Sequence, residues 1–164
     1  MKYFAYGSNM SICRLKERVP SADCLGCYSL KEHDLRFHKS GKDDSGKCDA
    51  FYTGNSSDTI FGVLFQMNPD EKAELDRAES LGLGYDEKHV TVIGLYGENI
   101  EATTYIAKKI NKLLKPYSWY LNHVLVGAEE SSLPSNYIDE KIRSIDSIED
   151  PDKARDTKER TIYS

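Results

Sequence analysis

Apolar and polar residues alternate along most of this chain, the period-two pattern of strands with one covered face. The alternation predicts strands over residues 2–6, 25–30, 34–38, 50–53, 59–67, 88–96 and 100–107. The run TIFGVLFQM at 59–67 is nearly all apolar, which marks a strand covered on both faces and therefore central. Gly97-Glu98-Asn99 joins the last two strands as a hairpin, and residues 39–47 (KSGKDDSGK) read as a polar loop. Four stretches change to helical spacing. Residues 11–18 form a short helix capped from Ser8, Asn9 or Ser11. A second starts at Asn68-Pro69-Asp70-Glu71, with Asn68 as N-cap, Pro69 in the first position and Glu71 closing a capping box. It runs to about Ser80, where Gly82 and Gly84 end it. Pro116 opens a third over 117–126. A fourth, over 135–145, carries an apolar stripe at Tyr137, Ile138, Ile142 and Ile145. Many strands, few helices and short connections predict an α+β fold with a mainly antiparallel, barrel-like sheet, not a doubly wound α/β fold. Residues 1–149 are expected to form one domain, and the highly charged residues 150–164 an exposed tail.

Composition narrows the partners. The chain has 164 residues, 39% apolar and 30% charged, with a net charge of −5, so it lacks the basic footprint of a nucleic-acid binder. No run approaches the roughly 20 apolar residues of a membrane span. The N-terminus has no basic segment followed by a long apolar core, so a cytoplasmic location is expected. Among four cysteines, Cys24 and Cys27 have C-x-x-C spacing, but Cys13, Cys48, His33 and His38 supply no second pair at ligand spacing. Ordinary thiols and no metal are expected. Eleven tyrosines fit half-buried strand positions and could also line a polar pocket.

Two places carry candidate chemistry. The stretch from Tyr3 to Met10 runs from an apolar strand straight into Gly7-Ser8-Asn9. Such a junction leaves backbone N–H groups without strand partners, and these make a pocket for an oxyanion or carboxylate. Ser8 has no adjacent base, so a turn or cap role suits it better than a nucleophile's. The second place is Glu79, which shares a helix face with Leu75 and Ala78 and so points inward. A buried carboxylate has a raised pKa, as a general base needs; a rim position paired with Arg14 or a lysine is the alternative. There is no G-x-S-x-G, P-loop, H-E-x-x-H or G-x-G-x-x-G.

Tyr3-Phe4-Ala5-Tyr6-Gly7-Ser8-Asn9-Met10 resembles the N-terminal signature of the γ-glutamylcyclotransferase family, which includes the AIG2-like proteins. Phe61-Gly62-Val63-Leu64-Phe65 resembles its central G-V-L strand, and Leu75-Asp76-Arg77-Ala78-Glu79 its L-D-x-x-E motif. Tyr85, Tyr120, Gly127-Ala128 and Leu133-Pro134 match the positions that follow. The family pattern has Gly after the Glu, where this chain has Ser80. The resemblance implies a small mixed, mainly antiparallel β-barrel flanked by helices, and a reaction in which a γ-glutamyl compound closes to 5-oxoproline and frees an amine or amino acid. It implies Glu79 as the acid/base, and the segment Tyr3, Phe4, Ala5, Tyr6, Gly7, Ser8 and Asn9, with Tyr85 and Tyr120, as the substrate site. No cofactor is implied, because ring closure is intramolecular; a homodimer is left open. Two other readings are a small-ligand-binding module that uses the same pocket without turnover, and a zinc or redox protein built on Cys24 and Cys27.

Overall fold

In the computed structural model, which describes residues 1–164, seven strands form a closed barrel of five and a separate pair. The barrel strands are Lys2–Ala5 (β1), Asp23–Lys31 (β2), Thr59–Gln66 (β5), Tyr85–Ile93 (β6) and Asn99–Ala107 (β7), in the order β1-β5-β2-β6-β7. The apolar run of β5 is its spine. β1 runs antiparallel to β5, from Lys2 opposite Gln66 to Ala5 opposite Val63. β2 pairs with the other edge of β5, with a bulge between Cys24 and Gly26. β6 and β7 form the expected hairpin. β7 closes the barrel by lying parallel to β1 at Tyr3 and Thr103, the parallel contact that makes the sheet mixed. His33–Ser40 (β3) and Gly46–Tyr52 (β4) pair only with each other, outside the barrel. They take up both ends of the stretch expected to be a polar loop, because Lys39 pairs with Lys47.

β5 is covered on both faces: the consecutive residues Val63, Leu64 and Phe65 are all fully buried, as is Phe4 on the neighbouring β1. Gly62 is required where β5 crosses β1: a Cβ there would lie on the Ala5 carbonyl and 2.6 Å from the Phe4 ring. After β1 the chain makes one 3-10 turn, Ser8–Met10, and then the helix Ile12–Lys16 (α1). Helix Ser118–Glu130 (α3) packs on that turn, and Gly127 lets it approach until an added Cβ would lie 2.6 Å from Met10 Cβ. The fourth predicted helix is split into Ser135–Ile138 (α4) and a wider π turn, Asp139–Arg143; Tyr137, Ile138 and Ile142 are buried as the stripe requires. No helix is long and apolar enough to cross a membrane.

Three local expectations need correction. Asn68 caps its helix, accepting from the Asp70 N–H at 3.0 Å, but Glu71 does not close the box. Ser21, brought in by the segment after α1, accepts the Asn68 N–H at 2.8 Å and itself donates to Glu71, so the box is relayed through a third residue. Residues 150–164 are not a free tail. Asp150 is completely buried, accepting from Trp119 Nε1 at 2.8 Å and from Arg155 at 2.6 and 2.7 Å. The following helix Lys153–Arg160 (α5) keeps its charged side toward solvent and docks through Glu159, which bonds Arg14 and His123. Charge marks exposure only when the charges lack partners, and these have them.

Helix Lys72–Ala78 (α2) stops earlier than its sequence predicts. Gly82 and Gly84 do not end it. Ser80 N–H bonds the Arg77 carbonyl and Leu81 N–H the Asp76 carbonyl, the paired bonds of a Schellman stop. That motif places Ser80 in the left-handed region at φ 51°, where glycine is favoured. Ser80→Gly is therefore expected to raise unfolding free energy by about 1 kcal/mol, the relief of left-handed strain less the added freedom of the unfolded chain. Denaturant unfolding of the two proteins checks it; a loss of stability would contradict the strain.

Candidate active site

The turn after β1, helix α1, the end of α2 and the start of β6 converge on a cavity of ≈ 130 Å³. Its position follows from chain geometry. β1 ends at Ala5 because Gly7 (φ −118°, ψ −138°) turns the backbone out of the ladder, and the 3-10 turn begins at once. An added Cβ at Gly7 would sit 2.9 Å from Cys48 Cβ, so the turn lies directly on β4. The N–H groups of Gly7, Ser8 and Asn9 find no acceptor within the chain, as expected of residues that enter a helical turn. All three residues line the cavity.

Glu79 enters from the facing side as the C-cap of α2. Leu75, one turn earlier and fully buried, fixes that end of the helix. Ala78, expected on the same face, does line the cavity, at its exposed rim, while Glu79 reaches further in. Its Oε1 accepts from Asn9 Nδ2 at 2.7 Å, and the same amide nitrogen donates to Tyr3 Oη at 3.2 Å, which engages both amide protons and fixes the amide's orientation. Burial pushes the Glu79 pKa up. Arg18, Arg14, the Asn9 hydrogen bond and Lys39 pull it back, and the balance stays above the ordinary carboxylate value. The rim pairing with Arg14 or a lysine is absent: Arg14 pairs with Glu159 at 2.8 Å and donates through Nε to Ser8 Oγ at 3.2 Å.

Of the residues singled out in the sequence, Tyr3, Tyr6, Gly7, Ser8, Asn9, Glu79, Tyr85 and Tyr120 come together around the cavity. Phe4 and Ala5 do not line it: their side chains are buried in the barrel wall, and the Phe4 carbonyl accepts from Thr104 Oγ1 at 2.8 Å. The tyrosines are tied to the frame. Tyr6 Oη donates to the Tyr105 carbonyl at 2.5 Å, Tyr85 Oη donates to the Cys48 carbonyl at 2.7 Å, and Tyr120 Oη accepts the Cys48 N–H at 2.9 Å. Five of the eleven tyrosines thus line one site.

The sequence reading missed Arg18, Lys39, Lys47, Cys48 and Tyr105 as lining residues. Arg14 and Arg18 are four apart on the segment that follows the signature loop, which was a usable signal. Lys39 and Lys47 carried none, because their strand pairing folds a run that reads as solvated loop. Lys47 is neutralised by Asp43 at 2.8 Å and bonded by Ser45 at 3.0 Å. Lys39 lies over the Tyr85 ring, 4.6 Å from its centroid, and burial lowers its pKa. With Arg14 and Arg18 these make four cations around one carboxylate, a lining suited to an anionic small molecule. Burial pushes the Cys48 thiol up to about 12 and the Cys27 thiol up to about 11, so neither is a thiolate near neutral pH. All four thiols are unpaired, and no three His, Cys, Asp or Glu side chains gather in a metal-binding group.

Comparisons with known proteins agree with this fold. The profile of the AIG2-like family matches residues 59–140, the stretch that holds β5, α2 and Glu79. The chain is 30% identical to a γ-glutamylcyclotransferase of Homo sapiens over 152 residues, covering 88% of this chain and 78% of the human protein. It is 29% identical to the γ-glutamylcyclotransferase of Bos taurus over 151 residues, with the same coverage. Among solved structures it superposes on a γ-glutamyl cyclotransferase with a TM-score of 0.88 and 27% identity, covering 99% of this chain and 98% of that one. An AIG2-like protein of Mus musculus, 15% identical with a TM-score of 0.53 over 71% of this chain and 84% of that one, shares the fold. Barrel, signature loop and inward carboxylate therefore stand together in a chain that belongs to the γ-glutamylcyclotransferase (AIG2-like) family.

Proposed function

We propose that this protein is a γ-glutamylcyclotransferase, closing the γ-glutamyl head of a small substrate to 5-oxoproline and releasing the amine or amino acid it carried. One observation carries the reading: the half-buried Glu79 carboxylate, held at 2.7 Å by an asparagine of the loop whose backbone N–H groups have no acceptor. Each half of the reaction needs one of these parts. The substrate's α-ammonium is no nucleophile until it loses a proton, and Glu79 takes it. The free amine attacks the γ-carbonyl carbon, and the carbonyl oxygen becomes an oxyanion that the N–H groups of residues 7–9 stabilise. Glu79 returns that proton to the old amide nitrogen, the tetrahedral carbon expels it as an amine, and the new ring nitrogen gives up its second proton through Glu79 to the departing amine, which leaves as an ammonium. Nucleophile and electrophile belong to one molecule, so the protein's task is to hold the head folded and pass protons from the α-nitrogen to the leaving nitrogen.

The raised pKa of Glu79 suits this task, since a base closer in strength to the amine transfers its proton at less cost. Tyr3, Tyr6, Tyr85 and Tyr120 shape the pocket around the head. Four unpaired thiols support a reducing, cytoplasmic setting.

Incubation with a panel of γ-glutamyl amino acids should release 5-oxoproline, measured by chromatography. Glu79→Gln should lower kcat by about 10²- to 10⁴-fold, the usual worth of a positioned acid/base, with the melting temperature retained. Ligand-induced stabilisation of the wild-type protein without product would identify a binding module instead, and unchanged turnover in Glu79→Gln would remove the assigned role. The electrostatics give a second test. Arg18 favours the ionised form of Glu79, so Arg18→Met should move the acid limb of kcat/KM to higher pH. A limb that stays in place or moves to lower pH contradicts the assignment of that limb to Glu79.

A further inference from the structure

Lys39 and Arg18 are the two cavity cations that no carboxylate pairs, and of the two Lys39 alone makes no hydrogen bond within the protein. Its side chain is nearly buried, the residue being 8% exposed, and its ammonium makes neither an ion pair nor a hydrogen bond. The other cations differ. Lys47 is held by Asp43 and Ser45, Arg14 by Glu159 and Ser8, and Arg18 donates to the Arg14 carbonyl at 3.2 Å. Around Lys39 Nζ the fold supplies the Tyr85 ring and an approach kept open by Gly84, where an added Cβ would lie 3.0 Å from the ammonium. The carboxylates that attract it, Glu79 and Asp43, make no direct contact with it, so its N–H groups face the cavity free to bond a ligand. An unpartnered ammonium at a cavity wall therefore points to an anionic group on the molecule that enters.

Position decides which group. For the γ-glutamyl head, the loop at residues 7–9 faces the γ-carbonyl and Glu79 the α-ammonium, and Arg14 and Arg18, joined to each other and through Ser8 to that loop, are the cations on its side for the head's own α-carboxylate. Lys39 arrives from a different part of the chain, at the end of β3. It packs on Tyr85 and Gly84, on the side of Glu79 where the chain leaves α2. We propose that Lys39 binds the carboxylate of the departing amino acid and so selects γ-glutamyl amino acids over γ-glutamyl amines that lack this carboxylate. The proposal rests on the cyclotransfer reading and adds to it a residue that reads the leaving group.

γ-Glutamyl-alanine and γ-glutamyl-ethylamine differ only by that carboxylate and make the test. The wild-type protein should favour γ-glutamyl-alanine in kcat/KM. Lys39→Met should cost γ-glutamyl-alanine about ten- to a hundredfold more than it costs γ-glutamyl-ethylamine, mainly through KM, the loss expected of one charge-assisted contact. Lys39→Met should keep close to the wild-type melting temperature, because the ammonium it removes makes no ion pair or hydrogen bond within the protein and the methionine chain is of similar length. Equal losses for both substrates, or no loss for either, overturn the proposal, as does a lower melting temperature accompanied by equal losses. Calorimetric binding of both compounds to Glu79→Gln and to Glu79→Gln/Lys39→Met gives the same comparison without turnover. If the wild-type protein releases no 5-oxoproline, the cyclotransfer reading fails, and the binding ratio still decides the role of Lys39.

Discussion

The hydrogen bond from Asn9 to Glu79 is the constraint on which the site depends. It joins residues 70 apart in the chain, one on the turn after β1 and the other at the C-cap of α2. A carboxylate in a cavity of this size has given up much of its hydration, which raises its energy in the charged form. Arg18, Arg14 and Lys39 offset part of that cost from a distance, and Asn9 alone touches it. Asn9 is in turn fixed because its second amide proton is taken by Tyr3, a residue of the barrel wall. The barrel thus orients the amide, and the amide orients the carboxylate. Arg14 is kept from collapsing onto Glu79 because Glu159 holds it.

That last contact explains why α5 is docked. Glu159 accepts from Arg14 at 2.8 Å and from His123 Nε2 at 2.9 Å, while His123 Nδ1 lies 2.6 Å from Tyr163 Oη, which lies 3.0 Å from Ser11 Oγ. The chain of contacts is satisfied by a neutral imidazole protonated on Nε2, a tautomer assigned from its partners. Burial lowers the His123 pKa, in keeping with that form, and the Glu159 carboxyl is held down at about 2 by His123 and Arg14 against its burial. These residues lie behind the loop and fix its far side. Together with the close approach of α3 at Gly127, they leave the loop little freedom to move away from Glu79.

Much of this is legible in the sequence because it is local. Alternation locates the barrel strands, and the apolar run at 59–66 identifies the central one. Glycine chemistry locates the turn after β1. Glu79 stands out because a carboxylate adjoins Leu75 on an otherwise apolar face. The rest depends on contacts between distant segments. Ser21 reaches Asn68 across 47 residues and takes over the half of the capping box that spacing alone assigns to Glu71. Ser80 adopts a conformation that glycine would take with less strain, so the sequence points instead to the glycines two and four residues later. Asp150 and Glu159 belong to a charged run whose partners include residues of α1 and α3, and a run of charges does not reveal its own pairing. Lys39 sits in what reads as solvated loop until β3 and β4 pair and carry it to the Tyr85 ring.

The most direct measurement is a crystal structure of Glu79→Gln with an unreacted γ-glutamyl amino acid bound. The substrate's α-nitrogen is expected within hydrogen-bond distance of the residue 79 side chain, and its γ-carbonyl oxygen against the N–H groups of Gly7, Ser8 and Asn9. A substrate bound elsewhere, or in this cavity with its α-nitrogen turned away from residue 79, would contradict it.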